Sequence, residues 1–116
     1  MRVRTLTAVG LILILPPTGP AAEPEKPMKA TLVRYSGNVQ GVGFRATAVM
    51  IARDHPVVGY VKNLPDGRVE LLAEGPPDAV AKFLKAIRDH WKDDISKAET
   101  EDRMPAGTFK RFEIMR

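Results

Sequence analysis

The stretch Gly37 to Arg45 (GNVQGVGFR) carries three glycines and ends on an arginine. Such a composition lets consecutive backbone N–H groups turn inward and form a nest for an anion, best placed at the positive end of a helix. On glycine content alone, a plain flexible turn is the commoner explanation. Arg45 shifts the balance. It falls at or just inside a helix start, where a cation faces the positive end of the helix dipole and costs about 0.3 kcal/mol or more without an anion. With a phosphate bound, the guanidinium and the loop amides would converge on the same oxygens, with charge-assisted, bidentate geometry. Without one, Arg45 is a solvated surface side chain.

A second polar residue joins it by topology. Asn63 closes a β-rich segment that follows the helix, and in a right-handed β-α-β unit both strands end on one rim of the sheet. That rim is the usual ligand side of such a unit. An asparagine amide can accept a hydrogen bond from water and donate one to phosphate at once; the competing explanation is a turn-former ahead of Pro65. Other chemistry is thinly represented. His55 precedes a helix-ending proline and His90 lies late in a helix, with no metal-ligand spacing between them. Asp54, Asp66 and Glu70 read as turn and surface charges. No Ser-His-Asp order and no GxxxxGKS/T motif for nucleotides is present. The chain has no cysteine, which excludes disulfides, thiol nucleophiles and thiolate metal sites.

The elements that would position these residues follow from periodicity. Ala30 to Ser36 alternates as a strand, and Phe44, Ala48, Ile51 and Ala52 recur at helical spacing until Pro56 stops the helix. Val57 to Lys62 and Arg68 to Glu74 are two further strands, joined by the turn Asn63 to Gly67. Gly75 to Asp78 opens a second helix with proline in its first turn. There Val80, Phe83, Leu84, Ile87 and Trp91 form one apolar stripe, opposite Lys82, Lys85, Arg88 and Asp89. Ser96 to Arg103 alternates weakly, as an edge strand would. Thr108 to Met115 is a stronger strand, with Phe112 and Ile114 on one face. The order β-α-β-β-α-β predicts an α+β, ferredoxin-like split β-α-β sandwich, with two helices on one face of a mainly antiparallel sheet.

The start of the chain reads as something other than fold. Basic Met1 to Arg4, apolar Thr5 to Leu15 and small, proline-broken Pro16 to Ala22 follow the order of a secretory signal peptide. The 11-residue apolar run is short of the roughly 20 that span a bilayer. Export is therefore expected over a retained membrane anchor. Residues 23–28 read as a polar lead-in, and 29–116 as one domain. Removing Arg2 and Arg4 with the leader lowers the formal net charge from +4 to about +2, so the basic excess is a poor argument for nucleic acid.

Taken together, Gly37 to Arg45, Gly59 to Asn63 (GYVKN), Asp66 to Glu70 (DGRVE) and the closing Phe112, Glu113 and Ile114 resemble the acylphosphatase family. The resemblance implies a hydrolase that cleaves the carboxyl–phosphate anhydride of acyl phosphates to a carboxylate and inorganic phosphate, with no metal or other cofactor. It further implies that the backbone of Val39, Gln40, Gly41, Val42, Gly43 and Phe44 cradles the phosphoryl oxygens, Arg45 binds the phosphate, and Asn63 orients the attacking water. The substrate's own phosphate would take the water's proton. The implied partners are a small-molecule acyl phosphate and its phosphate product, with a monomer expected and no nucleic acid. Tyr60 stands where many family members carry tryptophan, Pro56 shortens the link to the second strand, and the leader is unusual for a family of cytosolic enzymes. Two rivals stand beside this expectation: a non-catalytic anion-binding module on the same fold, and a ferredoxin-like RNA binder. The latter needs paired aromatics in a strand motif that Gly43, Phe44, Arg45 and Ala46 do not match.

Overall fold

Alternation along the strands and a 3.6-residue stripe along the helices leave one apolar face on each element, and these faces meet in one core. The computed structural model describes residues 27–116. The leader expected over 1–22 and most of the lead-in lie outside the described residues. The elements are β1 (Lys29–Gly37), α1 (Phe44–Ala52), β2 (Val58–Asn63), β3 (Val69–Gly75), α2 (Pro77–Trp91), β4 (Ile95–Arg103) and β5 (Phe112–Ile114). They form a five-stranded sheet in the order β4-β1-β3-β2-β5. β3 is antiparallel to both β1 and β2, and β5 runs parallel to β2. This is the ferredoxin-like α+β architecture, with a fifth strand added at the edge.

One consequence governs the rest of the molecule. With β3 between them and opposed to both, β1 and β2 point the same way, and β5 follows β2. The C-terminal ends of three strands, Gly37, Asn63 and Ile114, therefore share one rim. Register sharpens this: Tyr35 and Asn63 both pair with Val69, so they sit in one row across the sheet.

The helices cover one face of that sheet. α1 packs on β2 and β5, while α2 packs on β3 and β1. Val33 and Tyr35, Val61, Val69 and Leu71, and Phe112 point from the strands into the helices. Phe44 and Ala48 of α1 and Val80, Phe83, Ile87 and Trp91 of α2 fill the space from above. Three aromatic contacts knit the layers: Tyr35 to Phe44 at 5.1 Å, Phe44 to Trp91 at 5.2 Å and Phe83 to Phe112 at 5.1 Å between ring centroids. Truncating a buried Phe of this kind costs about 3–5 kcal/mol, so Phe44 is first a core residue that anchors the start of α1.

The other sheet face is polar and ordered by charge. The weakly alternating 96–103 segment is indeed an edge strand, pairing with β1 from Ala30↔Arg103 to Gly37↔Ile95. Its charged composition suits an unprotected edge. The segment expected as a strand from Thr108 shortens to Phe112–Ile114. Upstream of it the chain is an irregular strap. The Ala106 and Gly107 amides donate at 2.8 and 3.0 Å to the buried Glu74 carboxylate instead of joining a strand ladder.

Candidate active site

The loop between β1 and α1 is held from both sides. The Asn38 amide donates to the Asp94 carbonyl at 2.8 Å, and its side-chain Nδ2 donates to Asp94 Oδ1 at 3.2 Å, tying the loop to the turn before β4. On the other side, Gln40 Nε2 donates to the carbonyls of Leu64 at 2.9 Å and Arg68 at 2.8 Å, the two ends of the β2–β3 turn. Val39 buries its side chain between these anchors. A glycine-rich segment that could be a floppy turn is thus a clamped one.

Gly41 and Gly43 supply the conformation that the clamp requires. Their φ angles of 76° and 85° lie in the left-handed region, where a side chain is strained although neither position is crowded. Gly43 is also the N-cap of α1; its carbonyl accepts from Thr47 N at 2.9 Å and opens the helix ladder. No side chain caps the α1 N-terminus, and no acidic residue lies in its first turn. The leading amides of a helix have no intrahelical acceptor, so here they remain available to an anion.

Arg45 and Asn63 meet at this place. Both line a cleft of about 250 Å³, together with Val39, Gly41, Gly43 and Phe44 of the loop. Period-two alternation from the fully buried Val61 puts Asn63 on the helix side of β2, facing the start of α1. Its Oδ1 is buried and has no hydrogen-bond partner in the protein. A buried acceptor left in that state costs about 1–3 kcal/mol, a cost that a water or substrate donor would relieve. Among the described residues Arg45 has no carboxylate within ion-pairing distance, unlike Arg34, Arg68, Arg103 and Arg111.

Two loop residues sit differently. Gln40 and Val42 do not line the cleft; the Gln40 amide group is engaged with the turn, and Val42 is exposed. Any contact they make with an anion is left to their backbone. Phe44 turns its ring into the core, against Tyr35 and Trp91, while it lines the cleft.

Sequence reasoning missed the wall opposite the loop. Ile114 and Arg116 line the same cleft. Arg116 is a second guanidinium without an ion pair among the described residues, at the end of the strand that runs beside β2. The signal was available: Phe112, Ile114 and Arg116 share parity along an extended chain. The parallel pairing of β5 with β2 was not, and that pairing brings them to this rim. Among the described residues, no three histidine, cysteine, aspartate or glutamate side chains gather closely enough to hold a metal ion.

The fold and the rim together define a ferredoxin-like α+β domain whose cleft combines free cations, uncapped helix amides and one orphaned amide oxygen. A family model described as Acylphosphatase matches residues 31–114. An acylphosphatase of Acaryochloris marina is 40% identical over 82 residues, covering 70% of this chain and 87% of that protein. One from Bacillus velezensis is 56% identical over 52 residues, 45% of this chain and only 58% of the relative's own length. The crystal structure of acylphosphatase from Bacillus subtilis aligns with a TM-score of 0.68 at 32% identity, over 76% of this chain and 99% of that one. The chain belongs to the acylphosphatase family. These likenesses support acylphosphatase activity, a hydrolysis.

Proposed function

We propose that this chain hydrolyses the carboxyl–phosphate anhydride of small acyl phosphates, with Arg45 holding the phosphoryl group and Asn63 placing the water. The observation that carries the reading is the meeting of Arg45, the uncapped α1 amides and the unpartnered Asn63 Oδ1 in one cleft. Charge that develops on the phosphoryl oxygens would be met by the loop backbone from Val39 to Phe44 and by the guanidinium. Water hydrogen-bonded to Asn63 Oδ1 attacks phosphorus, the bond from phosphorus to the acyl oxygen breaks, and the carboxylate leaves. The water's proton passes to a phosphoryl oxygen, giving inorganic phosphate. Phosphoryl transfer asks mainly for positioning and electrostatic stabilisation, and a carboxylate leaves without a general acid.

Benzoyl phosphate hydrolysis with excess chelator, run beside a stable phosphate monoester, tests the reading. Chelator-resistant cleavage of the anhydride alone supports it. A folded protein that binds phosphate without turnover would instead be an anion-binding module. A small-molecule role over a nucleic-acid one is favoured by the outer sheet face, where Arg34, Lys62, Arg68 and Arg103 are already paired with Glu70, Asp66, Glu99 and Glu101. The monomeric state is part of the same reading and is checked by sedimentation. Export rests on the basic, apolar and small-residue order of residues 1–22. N-terminal sequencing of the protein recovered outside the cytosol checks it, and a mature protein still beginning at Met1 would refute cleavage. Among the described residues no helix is long and apolar enough to cross a membrane.

A further inference from the structure

A larger groove of about 610 Å³ lies beside the phosphate cleft, between the flank of α1 and β5. The two spaces share a wall: Ile114 lines both. So does one flank of α1, because Ala46, Val49 and Arg53 follow one another at i, i+3 and i+7. Ala46 faces the cleft, whereas Val49 and Arg53 line the groove. Val49, Ala52, Val57, Phe112 and Ile114 give the groove apolar walls. At a rise of 1.5 Å per residue, Arg53 stands about 12 Å beyond Arg45 along the helix.

The far part of the groove is basic. Arg53 and Lys110 line it, are exposed, and have no ion-pair partner among the described residues. Arg111 lies there as well, held 3.5 Å from Glu113, which occupies the one carboxylate in the lining. An apolar trough that adjoins the Arg45 cleft at Ile114 and ends on two unpaired cations has the chemistry of an aliphatic chain with an anion at each end.

We propose that this groove holds the acyl half of the substrate, and that the preferred substrates are monoacyl phosphates of unbranched dicarboxylic acids. The chain would leave the cleft past Ile114, run between Val49 and Phe112, and set its free carboxylate between Arg53 and Lys110. The assignment rests on the acyl phosphate reading above and adds the identity of the acyl group to it.

The test measures kcat/KM for acetyl, hexanoyl and octanoyl phosphate and for the monoacyl phosphate of octanedioic acid. Each methylene that enters the groove should raise kcat/KM, by about fourfold at full burial. The terminal carboxylate should add about two- to fivefold, the range of exposed ion pairs. Val49→Trp, which fills the trough, should flatten the length series while acetyl phosphate is turned over as before. The doubly exposed variant Arg53→Gln with Lys110→Gln cannot disturb the core, and should remove only the carboxylate gain. A series flat in chain length, with acetyl phosphate still hydrolysed, overturns the groove assignment and leaves the activity standing. A length gain with no benefit from the carboxylate overturns the dicarboxylate assignment. Failure to hydrolyse any acyl phosphate, acetyl phosphate included, sinks the activity and the groove together.

Discussion

The two sides of the sheet treat polar groups in opposite ways. On the outer face nearly every charge is met. Glu70 accepts from Arg34 Nε at 3.1 Å and Tyr60 Oη at 2.8 Å, with Lys62 at 3.9 Å. Glu74 is buried but receives two backbone amides. Arg68 is shared between Asp66 and Glu99. At the C-terminal rim the pattern reverses: two guanidiniums lack carboxylates, a helix start lacks a cap, and the Asn63 amide oxygen lacks a donor. The outer face is polar and finished, while the rim is polar and waiting. Incomplete satisfaction, more than polarity or burial, separates a site from a surface.

The largest effect that could break this contrast lies at Arg45. Arg45→Gln should lower turnover by about a hundredfold or more, the scale of losing one preorganised charge-stabilising group, while its melting curve overlays the wild type. An active variant would show that the unpaired guanidinium is idle. Asn63→Ala should reduce kcat far more than KM and leave stability equal or raised, because it removes an orphaned acceptor. A large loss of stability would mean that Asn63 is already satisfied by the fold.

On the finished side the expectation inverts. Glu74→Ala strands the Ala106 and Gly107 amides and should cost about 1–3 kcal/mol by denaturant titration, with turnover per folded molecule unchanged. Gln40 joins the two regions, since its side chain bonds the β2–β3 turn that carries Asn63. Gln40→Ala should cost about 1 kcal/mol and lower kcat more than KM, by a smaller factor than Asn63→Ala. An unchanged kcat would show that the turn holds itself.

The smallest effect is one of pH. Burial would raise the Glu70 carboxyl, but hydrogen bonds from Tyr60 and Arg34 and the nearby Lys62 outweigh it and hold it below its ordinary 4.5. A carboxyl depressed in the folded state stabilises above its unfolded value and loses that contribution as pH falls through the folded one. Glu70→Gln should therefore flatten the stability profile below about pH 4.5 and spare activity near neutrality. The partner phenol shows the same coupling from the other side: burial, then the Glu70 hydrogen bond and charge, push Tyr60 up to about 12. At neutral pH it remains a donor.

Much of this was open to reading from the chain. Alternation in 30–36, 57–62 and 68–74, and the stripe from Val80 to Trp91, are local signals of burial, and the structure places β1, β2, β3 and α2 on them to within a residue or two. Ser96 to Arg103 was faint because an edge strand beyond the helix layer has no buried face to impose a strong pattern; all but Ile95 in β4 are exposed. Thr108 to Arg111 looked extended but is a strap, since the chain just before it is held at Ala106 and Gly107 by Glu74, far away in sequence. The tether made by Gln40 was not legible, because nothing local reveals that its side-chain amide reaches 24 and 28 residues onward.

What the amino-acid order determined by itself was the set of parts: glycines where left-handed φ is needed, a cation at a helix start, an amide at a strand end, and apolar faces of the right period. These depend on neighbours a few residues apart, so they are written locally. What only the tertiary structure decided was which parts stand together. The antiparallel insertion of β3 points β1 and β2 the same way, and the parallel addition of β5 brings Ile114 and Arg116 to their rim. Those pairings come from burying whole faces of distant elements in one core, and they set the cleft of Arg45 and Asn63 beside an apolar groove that no single segment describes.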